Sequence, residues 1–256
     1  KIKNNNCEIK LNSEVVEIKT SPQPFPNLGE KEQEQIFELN LKKWDKYLAK
    51  NVIISTWWKS FFQAWTTWDW YNFAENFWLN IIKTFPWLCW ITTKKDLSEL
   101  SWISCKLEIE LIDKNTKKSI YSEYWPILFT HFWISWPIVF NSSVAIWKNL
   151  WFDDLYIKLN FDLNKLPKKI INFFELTLEN KEIKLDIHSL RSLKEAKVTT
   201  GWIDLNNLDN SLQSKNNKWL FFTWEVVDIS WKTWWYNLQW CWTSSFVVSD
   251  YINTNN

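Results

Sequence analysis

Glycine is scarce in this chain: Gly29 and Gly201 are its two glycines among 256 residues, beside 23 tryptophans. Average usage would put glycine at about 7% of the residues. Turns and helix C-termini need residues that adopt a positive φ, and glycine supplies most of them because it has no Cβ. Two glycines cannot meet that need, so we expect other residues to occupy those positions.

Methionine is absent, even at residue 1, and we therefore expect the sequence to start at a cut rather than at a natural N-terminus. No apolar run reaches the roughly 18 to 20 residues of a membrane-spanning helix, and the first residues lack the apolar segment of a secretory signal. The 30 basic and 29 acidic residues are interleaved and leave a net charge of +1. This balance gives no electrostatic reason for a nucleic-acid or membrane partner, so we expect neither. Scattered thiols in a chain without a secretory signal are typical of a cytoplasmic protein, which is the location we expect.

Cysteine and histidine are too few and too scattered to indicate a metal site. The cysteines form no C-x-x-C pair, and the two histidines, His131 and His188, do not complete a zinc ligand set with them. In a chain without a secretory signal, scattered cysteines are typical of reduced, buried thiols. The sequence therefore predicts no metal and four such thiols: Cys7, Cys89, Cys105 and Cys241.

The tryptophans lie where glycine is expected. Trp44 lies in a polar turn between two strand-like runs, 35–41 and 47–55, and Trp57 and Trp58 closely follow an apolar strand. Loops that bring a backbone close to a ligand need small residues, and indoles would block that approach. We hypothesise that most of these positions are glycine in the natural protein, because UGA is read as glycine in some bacterial lineages and as tryptophan under another code. The alternative is a Trp-rich protein that binds sugars or membrane surfaces through its indoles.

Six segments carry motifs of one family once their tryptophans are read as glycine. They are 54–60 (A-T-G-G-K-S), 64–71 (T-G-S-T-G-D-G-Y), 128–137 (L-F-T-H-F-G-I-S-G-P), 198–203 (V-T-x-G-G-V), 219–228 (G-L-Y-F-A-G-E-V-L-D) and 233–239 (T-G-G-Y-N-L-Q). In this order they resemble the bacterial NAD(P)/FAD-dependent oxidoreductases, which include aminoacetone-oxidase-like and 3-dehydro-bile-acid-reductase-like flavoproteins. The resemblance spans roughly residues 13–248 and implies FAD as cofactor, with a nicotinamide cofactor, NAD(P)H, as its reductant.

The chain departs from that family in three respects. The first βαβ unit of the family, whose G-x-G-x-x-G holds the FAD pyrophosphate on a helix N-terminus, is missing from the sequence, so we expect the fragment alone not to hold FAD tightly. The insertion that ends before Val198 is shorter than the family norm, which leaves the substrate pocket open to question. Literal tryptophans in the flavin loops would also keep the flavin out.

Periodicity and the resemblance together predict an α/β (mixed α+β) fold: a discontinuous, Rossmann-like FAD-binding domain lacking its first βαβ unit, with an inserted β-rich domain. The expected divisions are 1–86 (first part of the FAD-binding domain), 87–197 (inserted β-rich substrate domain) and 198–256 (C-terminal part of the FAD-binding domain). Strands are expected over 7–20, 35–41, 47–55, 106–112, 119–124, 156–161 and 220–223. A loop is expected over 21–34, and helices over 71–77 and 236–251.

The resemblance places most of the candidate cofactor site at two points of the chain. Thr56, Trp57 and Trp58 mark where the chain leaves the sheet beside the flavin. A helix N-terminus facing the flavin, whose partial positive charge would stabilise anionic reduced flavin, is formed by Trp234, Trp235, Tyr236, Asn237, Leu238 and Gln239. The alternative for the second segment is an ordinary helix start.

Glu225 and Asp228 follow a buried strand, where related flavoproteins place an acid on the ribityl hydroxyls. A carboxylate suits that role because it accepts strong hydrogen bonds from hydroxyl groups. The alternative is a solvated pair of acids. Val15 resembles the family position whose backbone meets adenine, and a plain strand valine is the alternative.

His131 is the candidate catalytic residue, because an imidazole exchanges protons near neutral pH. A packed structural histidine is the competing interpretation.

We expect an FAD-dependent oxidoreductase fragment that moves hydride between a nicotinamide cofactor, the flavin and a small organic substrate. The rival from another class is a non-catalytic, Trp-rich carbohydrate- or membrane-surface-binding protein.

Overall fold

The structure is a computed structural model that describes residues 7–21, 35–43, 45–56, 69–149, 152–232 and 234–255. It describes the backbone alone for residues 69–71, 147–149, 152 and 234. The predicted turn residue Trp44, the predicted loop beyond Ser21, and Trp57 and Trp58 lie outside the described residues.

Three antiparallel strands near the start of the chain form a small sheet in the order β1-β2-β3. They are β1 (Val15–Thr20), β2 (Phe37–Leu41) and β3 (Lys46–Ala49). Ile18 and Phe37 point into the core, while neighbouring side chains are exposed or half-buried, which is the alternation that predicted these strands. The strand predicted over 7–20 begins only at Val15.

The strand predicted over 47–55 is two strands, and that prediction is wrong in its bounds. β3 completes the hairpin with β2, and after residues 50–51 the chain forms β4 (Val52–Ile54). β4 pairs in parallel with β13 (Leu220–Phe222), with Val52 opposite Leu220 and Ile54 opposite Phe222. All three residues of β13 are buried, as are Val52 and Ile54 of β4, whereas Ile53 is exposed.

Six antiparallel strands close into a barrel in the order β10-β11-β6-β9-β8-β7. They are β6 (Ile91–Thr93), β7 (Ser104–Asp113), β8 (Ser119–Phe129), β9 (Trp133–Ser135), β10 (Leu155–Asn160) and β11 (Glu182–Leu190). Alternate residues of β7, including Leu107, Ile109 and Leu111, are fully buried in the barrel core. Closure pairs the edge strands β7 and β10, so in this barrel neither strand is left as an open edge.

One strand pair lies where the chain enters and leaves the barrel. β5 (Phe85–Trp87) pairs antiparallel with β12 (Val198–Thr200), and Trp87 lies opposite Val198. The predicted division of the chain into domains at 86/87 and 197/198 stays a prediction.

The described helices are α1 (Asp69–Asn76), α2 (Pro137–Asn149), α3 (Lys168–Phe174) and α4 (Trp234–Asn255). The described residues form two hydrophobic cores, one around β4 and β13 and one inside the barrel. Helix α2 contributes Val144 to the first core and Ile138, Val139 and Ile146 to the barrel core. Among the described residues, none of the helices combines the length and apolar character needed to cross a membrane.

The cysteines are free thiols, as the sequence predicted, but not all of them are buried. Cys89, Cys105 and Cys241 are buried, and burial raises the pKa of each thiol to about 12. Cys7 is exposed, because it precedes β1 and packs into neither core. At neutral pH the three buried thiols are therefore protonated and poorly nucleophilic.

Candidate functional site

The carboxyl ends of β4 and β13 lie side by side and form the floor of the candidate site. The Thr223 N–H donates to the Ile54 carbonyl oxygen at 3.1 Å, and the hydroxyls of Ser55 and Thr223 are 2.5 Å apart. Thr56 follows directly and is exposed. In open α/β sheets, ligands bind beyond the carboxyl ends of parallel strands, so this edge is the expected binding position.

Glu225 lies just past β13 in a short 3-10 turn, Trp224–Val226, and is only 7% exposed. Burial raises the pKa of its carboxyl group to about 9. Among the described residues, the group within hydrogen-bond reach of this carboxyl is the Cys241 thiol, whose Sγ lies 4.0 Å from Oε1. Glu225 is therefore uncharged at neutral pH and can donate a hydrogen bond as well as accept one.

Asp228 organises the turn around Gly201. Its Oδ1 accepts hydrogen bonds from the Gly201 N–H at 2.9 Å and from the Thr200 hydroxyl at 3.3 Å. Its own N–H donates to the Ile203 carbonyl at 3.0 Å. Gly201 has φ +77°, and a Cβ there would lie 2.0 Å from the Lys83 carbonyl oxygen, so no other residue fits.

Asn237 fixes the loop that leads into α4. It is 2% exposed; its Oδ1 accepts from the Trp231 N–H at 3.1 Å and its Nδ2 donates to the Trp231 carbonyl at 3.2 Å. The Trp87 indole N–H donates to that same carbonyl at 3.0 Å. The described contacts of Asn237 therefore give it a positioning role at the start of the helix.

The remaining residues predicted at the start of α4 differ in exposure. Trp235 and Tyr236 are exposed, Leu238 is half-buried and Gln239 is exposed. Of Trp234 the structure describes the backbone alone. Further along, α4 is held against the turn that carries Glu225, because the Ser244 hydroxyl accepts from the Trp224 N–H at 2.9 Å.

Ser230 is a site residue that sequence reasoning missed. Its Oγ is buried and has no hydrogen-bond partner among the described residues. It lies two residues after Asp228, in the loop that Asn237 closes. A serine in a loop carries no distinctive sequence signal, and its isolation is visible only once the surrounding chain is folded.

Val15 and His131 lie elsewhere. Val15 pairs with Leu41 at the start of β1 and packs against the first core. His131 is exposed on the barrel between β8 and β9, where its Nδ1 lies 3.3 Å from the Ser101 hydroxyl and its ring stacks on Trp133. The described contacts join Glu225 to α4 through Cys241, and they join Ser55, which precedes Thr56, to Thr223. Asp228 contacts the turn around Gly201, and the described contacts of His131 belong to the barrel.

Buried parallel strands whose carboxyl ends lead to a candidate ligand site are typical of Rossmann-like cofactor-binding domains. The chain matches the family model described as the HI0933-like protein Rossmann domain over residues 1–251, and it belongs to that family. This is a family of FAD-binding flavoproteins of the oxidoreductase type. No curated protein matches the chain.

Proposed function

We propose that the chain binds FAD at the carboxyl ends of β4 and β13 and that it serves hydride transfer between a nicotinamide cofactor, the flavin and a small organic substrate. The observation that carries the proposal is Glu225: a carboxyl group buried at the end of a buried parallel strand, with burial raising its pKa to about 9. Isolating such a group is unfavourable unless a ligand supplies hydrogen bonds. Perturbed carboxyls of this kind are concentrated at functional sites.

The polar groups at this site fit a ligand that carries hydroxyl groups. Glu225 can accept from one hydroxyl and, when protonated, donate to another. The Ser230 hydroxyl, buried and without a described partner, offers a second donor and acceptor in the neighbouring loop. We therefore assign Glu225 and Ser230 to the ribityl part of FAD, with Asp228 and Asn237 fixing the loops that present them.

FAD, when bound, supplies the redox chemistry, and the protein supplies orientation and electrostatics. The first turn of α4 leaves backbone N–H groups without partners inside the helix, and its partial positive charge favours an anionic ligand edge. Thr56, which follows β4 closely, lies beside the flavin in this proposal. Val15 would meet the adenine through its backbone.

The finer likeness to aminoacetone-oxidase-like and 3-dehydro-bile-acid-reductase-like flavoproteins supports a small organic or alicyclic substrate, NAD(P)H as reductant and a cytoplasmic location. His131 remains a candidate proton donor only if the substrate reaches the barrel face between β8 and β9. Its replacement by glutamine should then lower substrate turnover without changing FAD affinity.

The direct test is FAD titration followed by quenching of flavin fluorescence. The chain itself should be compared with a version carrying glycine at Trp57, Trp58, Trp234 and Trp235, because indoles at these positions are expected to hinder FAD. In the version that binds, Glu225→Gln and Ser230→Ala should each weaken FAD binding about tenfold, which is about 1.4 kcal/mol. Glu179→Gln, at an exposed acid in the loop between α3 and β11, is the matched control. Failure of both versions to bind FAD would contradict the proposal.

A second candidate function rests on the exposed aromatic side chains of α4. Trp235, Trp242 and Phe246 are exposed and spaced by seven and four residues, so they share one face of the helix. Such a row could bind a polysaccharide or a membrane surface. Retention of the chain on cellulose or on lipid vesicles, lost in Trp242→Ala, would favour this function over the flavoenzyme.

A further inference from the structure

Tryptophan occupies half of the described positive-φ positions that are held by residues other than glycine. In the part of the chain that the structure describes, ten residues other than glycine have positive φ, and five of them are Trp78, Trp102, Trp136, Trp219 and Trp224. Tryptophan makes up only 23 of 256 residues, so this concentration is far above its share of the chain. We infer that the functional protein carries glycine at these five positions. The inference rests on backbone geometry and is independent of the proposed cofactor.

Trp78 occupies the glycine position of a helix C-terminal motif. After α1, the Trp78 N–H donates to the Glu75 carbonyl at 3.0 Å and the Leu79 N–H donates to the Ala74 carbonyl at 3.1 Å. These are the two hydrogen bonds of the Schellman motif, in which the residue with positive φ is usually glycine. Trp78 has φ 56° and its side chain is 90% exposed, so the indole gains little packing in return.

Trp136 adopts a backbone conformation that a side chain disfavours more strongly. Its φ is 100°, beyond the narrow left-handed region open to ordinary residues. The residue directly precedes α2, and its carbonyl accepts from the N–H groups of Val139 at 3.0 Å and Phe140 at 3.1 Å. Its carbonyl is thus held by the first turn of the helix while its φ has a value that glycine adopts most easily.

Trp219 and Trp224 lie on either side of β13 and are held by hydrogen bonds of their own backbone. The Trp219 N–H donates to the Gln213 Oε1 at 2.7 Å, and its carbonyl accepts from the Val52 N–H at 2.9 Å. The Trp224 N–H donates to the Ser244 hydroxyl at 2.9 Å. With φ of 65° and 64°, both turns suit glycine, and the second directly precedes Glu225.

Other described tryptophans do not have a positive φ, so we do not infer glycine there, and they serve as controls. Trp202 is 1% exposed in the first core, its indole N–H donates to the Thr199 carbonyl at 2.8 Å, and its φ is not positive. Trp242 lies inside α4 and is 77% exposed, the same exposure as Trp102. Trp102 and Trp242 thus differ in backbone conformation while their indoles are equally open to solvent.

The test is the melting temperature of glycine and alanine variants at matched sites. At Trp78 and Trp102, glycine should give a melting temperature about 2–5 °C above that of alanine, because both remove the indole and glycine adopts a positive φ at a lower energetic cost. At Trp242 the order should reverse, since glycine disfavours a helix interior relative to alanine. Alanine equal to or above glycine at both Trp78 and Trp102 would overturn the inference.

A second measurement determines the codons and the amino acids at the same five positions directly. We expect UGA codons there in the source gene and glycine in the mass spectra of peptides from the native protein. UGG codons at these positions, with tryptophan in the peptides, would overturn the inference. Neither measurement depends on FAD, so the inference and the proposed cofactor can fail separately.

Discussion

Glu225 makes the stability of the chain depend on pH in a direction opposite to that of an ordinary paired acid. Burial raises the pKa of its carboxyl to about 9, whereas the unfolded chain has the ordinary value of 4.5. The folded state therefore holds the proton more tightly than the unfolded state. Its contribution to stability is fully present below about pH 4.5 and is lost as the pH rises through about 9.

The corresponding variant is Glu225→Gln, which keeps the shape of the side chain and removes its titration. In the parent chain, Glu225 should lower the free energy of unfolding by up to about 1.4 kcal/mol per pH unit between its two pKa values. Glu225→Gln should flatten that slope, while Glu179→Gln, at an exposed acid, should leave it intact. Urea unfolding at pH 5, 7 and 9 measures how the free energy of unfolding changes with pH. Equal pH slopes for the parent chain, Glu225→Gln and Glu179→Gln would show that Glu225 ionises normally.

Gly201 gives a prediction that depends on space rather than charge. A Cβ at this position would lie 2.0 Å from the Lys83 carbonyl oxygen and 2.6 Å from its carbonyl carbon, both backbone atoms that cannot move aside cheaply. Gly201→Ala should therefore reduce the free energy of unfolding by roughly 2–4 kcal/mol, since it combines a clash with a positive φ. Thr200→Ala, which removes one long hydrogen bond to Asp228, should cost about 1 kcal/mol or less. Equal losses in the free energy of unfolding for Gly201→Ala and Thr200→Ala, measured by urea unfolding, would contradict the steric argument.

Sequence reasoning reaches the candidate site only in part. Glu225 and Asp228 could be selected because the resembled flavoproteins place an acid after the corresponding buried strand. The hydrogen bond from Gly201 to Asp228 joins residues 27 positions apart, so no local sequence pattern predicts it. Ser230 likewise becomes notable only because folding buries its hydroxyl without a described partner.

At the scale of elements, the five tryptophans with positive φ weigh against the stability of the chain as written. A left-handed conformation costs an ordinary residue roughly 1–2 kcal/mol. Five such residues together approach the roughly 5–15 kcal/mol by which a whole protein is stable. Strain on that scale is hard to retain without compensation, and Trp78 and Trp102 have little, because their indoles are 90% and 77% exposed.

Helix α4 depends on Asn237 to join its first turns to the preceding loop. Asn237→Ala would leave the Trp231 N–H without its acceptor and should reduce the free energy of unfolding by about 2 kcal/mol, since two hydrogen bonds are lost. The exposed Gln239, whose amide lies 3.5 Å from the Thr243 hydroxyl, is the control, and Gln239→Ala should change stability by less than about 0.5 kcal/mol. Hydrogen exchange at the Trp231 amide provides the local measurement. Unchanged protection of this amide in Asn237→Ala would show that Asn237 does not hold the loop against the helix.

The elements found from sequence are those with clear alternation or with a long apolar pattern. The strands at β2, β7 and β10 and the helices α1 and α4 lie close to their predicted bounds. Helix α2 was missed because its sequence, P-I-V-F-N-S-S-V-A-I-W-K-N, is apolar on more than one side and contains several β-branched residues. The structure explains that pattern, because α2 is buried against both cores. The break between β3 and β4 was missed because β4 pairs with β13, which is distant in sequence, and not with the hairpin.

At the scale of the whole molecule, α2 is the described helix that contributes buried residues to both cores. Val144 packs in the core around β4 and β13, and Ile146 packs in the barrel core, two residues further along. The helix is also tied to the entry of the barrel, since the Ser143 hydroxyl accepts from the Cys89 N–H at 3.2 Å. A rigid helix shared in this way should make the two cores lose their structure together.

Truncation on either face of α2 tests this coupling. Val144→Ala and Ile146→Ala remove side chains that are 3% and 0% exposed, and each should lower the free energy of unfolding by about 2–4 kcal/mol. If α2 couples the cores, hydrogen exchange should accelerate equally in the amides of β4–β13 and of β7–β8 in both variants. Phe246→Ala, at an exposed position of α4, should change neither set. If instead Ile146→Ala loosened the barrel alone and Val144→Ala loosened only β4 and β13, the two cores would be separate folding units, and the site beside Glu225 could open without disturbing the barrel.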